Sequence, residues 1–136
     1  MNPELVKIHD NVTIAADVTF VTHDAIRHVL MNMDNETYVP HYGCIEIEEN
    51  AFIGLGTIIM PDVHIGKNTI VAAGSLVLKD VPDNSIVGGV PAKVIGSFDN
   101  LHQKRIAEGK ALKGLSTQQL CEKSWEEFYA KRKSET

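Results

Sequence analysis

The chain has 136 residues, 43% of them hydrophobic, and a formal net charge of −5. That length holds one domain, or one domain with a tail, and enough apolar content for a real core. No apolar run approaches the roughly 20 residues that cross a bilayer, and a body this acidic is not expected to bind nucleic acid.

The charge is unevenly spread. Residues 1–92 hold 4 Lys/Arg against 12 Asp/Glu, and residues 93–136 hold 9 against 6. The basic tail reads first as a solvated helix surface and second as a site for an anionic small ligand. The N-terminal "MNPELVKIHD" carries acids and no apolar stretch, so no secretory signal is expected. Cys44 and Cys121 lie far apart, as in a reduced, cytoplasmic protein with two free thiols.

A repeat of six residues organises the chain. Ile8, Ile14 and Phe20 are spaced by six, and after a gap so are Ile47, Ile53, Ile59, Ile65, Val71 and Val77. Six large aliphatics in one register arise by chance roughly once in a thousand trials. Four residues further on stand Val12, Val18, Ala51, Thr57, Val63, Thr69, Ser75 and Val81, all small or β-branched. Ala15, Gly54, Gly66 and Ala72 directly follow the large residue.

A period of six is neither helical nor a plain strand alternation. It predicts a three-sided solenoid in which each side is one short strand and one corner. The large and the small residue both point inward, and Gly or Ala eases the backbone through the corner. Three hexads make one turn of 18 residues, and successive turns stack by parallel pairing over a continuous aliphatic core.

The register breaks after Phe20. From His23 to about Tyr42 the chain makes an excursion containing "DNET", Pro40 and the histidines His23, His28 and His41. A long loop returning to a rigid scaffold at both ends is expected to carry function. At the other end "VGGVPAK" reads as a turn by which the chain leaves the last coil, with one lysine on it. The tail changes character from about Asp99. "STQQ" at Ser116 is a capping box, followed by Cys121, Trp125, Phe128 and Tyr129 at helical spacing. "NLHQKRIAEGKALKG" predicts an earlier, weaker helix ending near Gly109 or Gly114. The predicted organisation is a repeat domain over 1–98, with the excursion 23–42, and a helical extension over 99–136.

The segment "FIGLGTIIMPDVHIGKNTIVAAGSLVLKDVPDNSIVGGVPAKVIG" (52–96), with "FVTHD" at 20–24, resembles the hexapeptide-repeat acyltransferases. "AAGSLVLKDVP" and "GGVPAKVI" are its most specific parts, similar to the closing coils of galactoside, maltose and xenobiotic acetyltransferases. The resemblance covers roughly residues 8–96 and not the tail. It implies a mainly β fold, a parallel β-helix, and adds that the coil is left-handed, which the spacing does not show and which departs from the ordinary right-handed crossover. It also implies an acetyl-CoA-dependent O-acetyltransferase acting on a sugar or polysaccharide hydroxyl, a homotrimer with a site between subunits, and no metal.

Site residues follow from the same resemblance. His23 matches the histidine that serves as general base, a role suited to a neutral imidazole. Gly88, Gly89 and Pro91 are implied along the pantetheine arm and adenine of coenzyme A. Lys93 matches the basic residue for the nucleotide phosphates, and Ala73 (through its backbone) and Lys79 complete the set. Leu55 stands where some relatives carry serine, and Gly96 where a second basic residue often follows, which weakens the expectation of tight phosphate binding. Asp24, His28, Tyr38 and His41 are the candidates for holding a small-molecule or glycan acceptor. The first hexad begins almost at the N-terminus, so the acceptor pocket is expected from the 23–42 excursion and a neighbouring chain. Two alternatives stay open. One is a γ-carbonic-anhydrase-like zinc hydratase using His23, His28 and His64. The other is a non-catalytic repeat scaffold.

Overall fold

The computed structural model describes residues 3–134. The chain falls into two compact units, residues 1–100 and 101–136. In the first unit, strands come three at a time. After a single 3-10 turn (Pro3–Leu5) come β1 (Val6–Ile8), β2 (Thr13–Ile14) and β3 (Thr19–Phe20). The excursion holds β4 (His23–Asp24), the one-turn helix α1 (Arg27–Leu30) and β5 (His41–Tyr42). The repeats resume with β6 (Ile45–Ile47), β7 (Ala51–Ile53) and β8 (Ile58–Ile59), then β9 (Val63–Ile65), β10 (Thr69–Val71) and β11 (Leu76–Val77). β12 (Ser85–Gly88), β13 (Lys93–Ser97), α2 (Phe98–Ala111) and α3 (Thr117–Ser134) complete the chain.

Successive strands belong to different sheets. The orders are β1-β6-β9, β13-β12-β10-β7-β2 and β11-β8-β3, with β4-β5 as a separate pair. The parallel register follows the repeat: Ile45 pairs with Val63, Ala51 with Thr69 and Ile58 with Leu76, each 18 residues on. Val6 pairs with Ile45 at an offset of 39, one 18-residue turn plus a 21-residue insertion.

The large aliphatics form the core. Ile47, Ile53, Ile59, Ile65, Val71 and Val77 are each at most 1% exposed. Ile8 and Ile14 at the first turn are 48% and 37% exposed, because they have neighbours on one side of the stack only. From Ala51 on the small row is buried too, and its hydroxyls are bonded to carbonyls, that of Thr57 to Ala72 O in the next turn (3.4 Å) and the others within their own corner. Thr69, Ser75 and Ser85 each donate to a carbonyl three residues earlier, those of Gly66 (3.0 Å), Ala72 (2.6 Å) and Pro82 (2.6 Å). A hydroxyl that bonds its own corner can enter an aliphatic core without a desolvation loss.

Two expectations are corrected. The corners are not turned by the Gly or Ala after the large residue. They are turned two positions later, by Asn11, Asp17, Asn50, Gly56, Asp62, Asn68 and Gly74, every one at positive φ between 52° and 72°. Asn, Asp and Gly are the residues that tolerate this left-handed conformation. Gly54 is required for a different reason: a Cβ there would lie 2.5 Å from the backbone nitrogen of Ala73 in the next turn. The second correction concerns Val81. It bridges to Ile65, and Ile70 pairs with Ile86, so the offset drops to 16. Val81 therefore stands in the large row, Ser85 takes the small row, and the corner at 78–80 is two residues short.

In the second unit the capping box at Ser116 closes in both directions. The Gln119 amide donates to Ser116 Oγ (3.1 Å), and the Ser116 amide to Gln119 Oε1 (2.9 Å). α2 runs through Gly109 and ends before Gly114, which takes φ 86°. Trp125, Phe128 and Tyr129 pack on one another, with Arg132 over the Phe128 ring. Among the described residues, no helix is long and apolar enough to cross a membrane.

Ile59→Ala removes a fully buried side chain from the middle of the stack and is expected to cost about 2–5 kcal/mol. Ile8→Ala, at the open end, is expected to cost less than half as much. Urea unfolding of the two variants checks the difference, and equal losses would refute the graded core.

Candidate functional site

The insertion folds back on itself as an arm. β4 and β5 pair antiparallel, His23 opposite Tyr42 and Asp24 opposite His41. Adjacent residues of a strand face opposite sides, so the arm has two faces. On one, the rings of His23 and Tyr42 lie 6.4 Å apart, both solvent-exposed. On the other, a cavity of about 310 Å³ is lined by Asp24, Ile26, Arg27, Leu30, Tyr38, Val39 and His41. Asp24 has a structural part as well. Its Oδ1 accepts the Ile26 amide (3.1 Å), an Asx turn that starts α1. Tyr38 donates to the Asp34 carboxylate at 3.0 Å from each oxygen. That bond stabilises the protonated phenol and raises its pKa above the ordinary value.

The arrangement brings Asp24, Tyr38 and His41 together and leaves His23 on the opposite face. His28 lies in α1, exposed, and does not line the cavity.

"VGGVPAK" is not an exit from the stack. Residues 89–92 are the turn of a hairpin in which β13 runs antiparallel to β12, with Lys93 opposite Gly88. Gly89 takes φ 100°, which side chains rarely adopt. Both ends of the turn are tied to β11: the Leu76 amide donates to Gly89 O (3.1 Å) and the Ala92 amide to Leu76 O (2.9 Å). Gly88 is buried, with Ile95 Cδ1 3.0 Å and Ala72 Cβ 3.1 Å from where its Cβ would stand. Pro91 and Ala73 are exposed.

Beside this turn lies a second cavity of about 250 Å³. Lys79 and Lys93 line it together with Ala92, Val77, Val87 and Asp80. Lys79 reaches it because the corner at 78–80 is short. Asp80 Oδ1 is occupied by the His64 backbone amide (2.9 Å).

A stacked hexapeptide register with two lysines over its closing hairpin defines a class of repeat protein. Residues 44–79 match the family model described as bacterial transferase hexapeptide (six repeats). Over 96 residues the chain is 42% identical to galactoside O-acetyltransferase of Escherichia coli strain K12, covering 70% of this chain and 45% of that protein. It is 41% identical over 114 residues to protein CapG of Staphylococcus aureus, covering 84% of this chain and 65% of CapG. A solved galactoside acetyltransferase in complex with coenzyme A superposes with a TM-score of 0.62 at 35% identity, over 72% of this chain and 48% of that one. The resemblance to hexapeptide-repeat acyltransferases is borne out, and the chain spans less than two thirds of each of these relatives.

Two features escaped the sequence reading. Arg27 lines the arm cavity, and its signal was available: it is the one Lys or Arg between Lys7 and Lys67. The second is a cluster of His9, Glu46, Glu48 and His64 on the outer face of β1, β6 and β9. The hydrogen bond that His9 donates to Glu46 raises the His9 pKa, and the same bond lowers that of Glu46. His23, His28 and His64 form no metal-ligand group among the described residues.

Tyr38 is expected to ionise above the ordinary tyrosine value, because forming the phenolate breaks its bond to Asp34. Following phenolate absorbance as pH rises checks this, with Asp34→Asn moving to lower pH the step that Tyr38→Phe removes. A step unmoved by Asp34→Asn would show that the Asp34 bond is absent in solution.

Proposed function

We propose that the chain is an acetyl-CoA-dependent O-acetyltransferase that modifies a sugar or polysaccharide hydroxyl. One observation carries the reading: Lys79 and Lys93, 14 residues apart in sequence, line one cavity beside the 89–92 turn. Two ammonium groups at one cavity suit the phosphates of a nucleotide-bearing thioester. The likeness to a galactoside acetyltransferase solved with coenzyme A supports the same donor. We take the stack to be a left-handed parallel β-helix that trimerises, with the face carrying His23 and Tyr42 completed by a neighbouring subunit. Both cysteines are free and exposed, which fits a reducing cytoplasm.

Transfer is direct, within one ternary complex. The His23 imidazole accepts the proton of the acceptor hydroxyl as its oxygen attacks the thioester carbonyl carbon. The tetrahedral oxyanion is stabilised by backbone amides. It collapses with cleavage of the C–S bond, and the departing thiolate takes the proton back from the imidazolium. Asp24, Arg27, Tyr38 and His41 offer the polar groups of an acceptor subsite in a cavity at the small end of the range for small-molecule sites.

Release of free thiol from acetyl-CoA over a panel of sugars tests the activity. His23→Ala is expected to lower the turnover number about a hundredfold or more with little change in acetyl-CoA affinity. Loss of turnover in His41→Ala or His28→Ala with His23→Ala intact would assign the base to the other histidine.

Lys93→Ala is expected to weaken coenzyme A binding about five- to thirtyfold, and 3′-dephospho-coenzyme A binding less, if the ammonium meets the 3′-phosphate. Equal losses in calorimetry would move Lys93 to the pyrophosphate, and no loss would leave it a solvated charge. Light scattering at micromolar concentration is expected to give the mass of three chains, and a monomer would refute the shared site.

A further inference from the structure

The acyl-transfer reading makes no use of the outer face of the β1-β6-β9 sheet. There the register sets Lys7, Glu46 and His64 side by side in one row. His9 and Glu48 stand two residues further along their strands, so both again face outward. Their backbone amides continue the ladder, donating to Ile47 O (3.0 Å) and Ile65 O (2.9 Å).

The side chains converge across the square. His9 Nε2 lies 3.0 Å from Glu46 Oε2 and 3.8 Å from Glu48 Oε2. His64 Nε2 lies 3.0 Å from Glu48 Oε1 and 3.8 Å from Glu46 Oε1. Each imidazole thus faces one oxygen of both carboxylates, and the two imidazoles face different oxygens. The ligand atoms of His9, Glu46 and Glu48 all lie within 4.8 Å of one another. Bonds of about 2.1 Å to a tetrahedral ion put neighbouring ligand atoms roughly 3.4 Å apart, between the 3.0 and 3.8 Å of His9 to its two carboxylates.

We propose that His9, Glu46 and Glu48 bind one divalent transition-metal ion, zinc by preference, and that His64 is a positioning residue holding the carboxylate oxygens that do not ligate. One imidazole with two carboxylates suits zinc better than magnesium or calcium, which favour oxygen alone. An outer histidine bonded to a ligating carboxylate fixes its orientation. Three protein ligands leave the fourth position to water. The consequence is structural. His9 follows the first strand of the first turn and Glu46 lies in the first strand of the second, 37 residues later, across the whole insertion. The ion would pin the turn whose Ile8 and Ile14 are half-exposed to the buried stack behind it.

The experiment uses the full chain, stripped with chelator and titrated with zinc by calorimetry, with cobalt as a spectroscopic probe. One zinc per chain is expected, together with tetrahedral cobalt absorption bands and slowed hydrogen exchange in residues 6–20. Magnesium is expected to do none of this. His9→Ala and Glu48→Gln are each expected to weaken zinc binding at least tenfold. His64→Ala is expected to weaken it about tenfold and shift the cobalt bands, with His64→Gln restoring both. Zinc binding that survives His9→Ala, or no zinc binding at micromolar concentration, overturns the proposal. Zinc lost with His23→Ala and kept with His9→Ala also overturns it, and places the ion on the arm.

Discussion

Every turn of the stack depends on a backbone that can take a left-handed conformation three residues after each inward aliphatic. Asn, Asp or Gly occupies that position from Asn11 to Gly74, except at His23, where the insertion begins. A β-branched or bulky residue there would be strained by its Cβ. Because the corners are fixed, strands of only two or three residues meet the next turn in register. The corner side chains then pair across turns: Asn50 donates to Asn68 (2.8 Å), and Asn68 to Asn84 (3.2 Å). Asn84 also has positive φ, so that corner is kept even after the repeat has slipped. The aliphatic column and the polar corner ladder are two results of one conformational requirement.

In the repeat unit the two cavities described lie where the repeat is interrupted. The 21-residue insertion builds an arm with a cavity on one face and a histidine–tyrosine pair on the other. The two-residue shortening at 78–80 brings Lys79 to the hairpin turn that carries Lys93. A regular turn presents side chains at fixed intervals on flat faces and makes no concavity. An insertion or a deletion in it creates one, while the neighbouring turns stay rigid enough to hold the groups in place.

The hexad was legible because burial acts on every sixth residue, and Ile47 through Val77 obey it without exception. The capping box at Ser116 was legible because it is local. The slip at Val81 was not, since Val fits the large row and the small row equally well. The direction of β13 was hidden too, because "GGVPAK" is compatible with a turn that leaves the stack or one that returns. The separation of His23 from Asp24 and His41 depends on strand pairing within the arm, which no local spacing encodes. The cluster of His9, Glu46, Glu48 and His64 was invisible for the same reason. His9 meets Glu46 only through a register offset of 39, and that offset depends on the length of an aperiodic insertion.

A pile of parallel strands is by nature extendable, since each open edge is a template for another chain. At the C-terminal side of this pile all three edges are consumed, each differently. β13 covers one by running antiparallel with a bulge opposite Ile86 and Val87. The backbone of residues 89–92 takes the hydrogen bonds of Leu76 on the second. On the third, Asp80 accepts from the His64 amide, and Val81 donates to His64 O and accepts from the Gly66 amide. The same hairpin that shapes the lysine-lined cavity is therefore also a terminator, denying end-to-end fibre growth on that side.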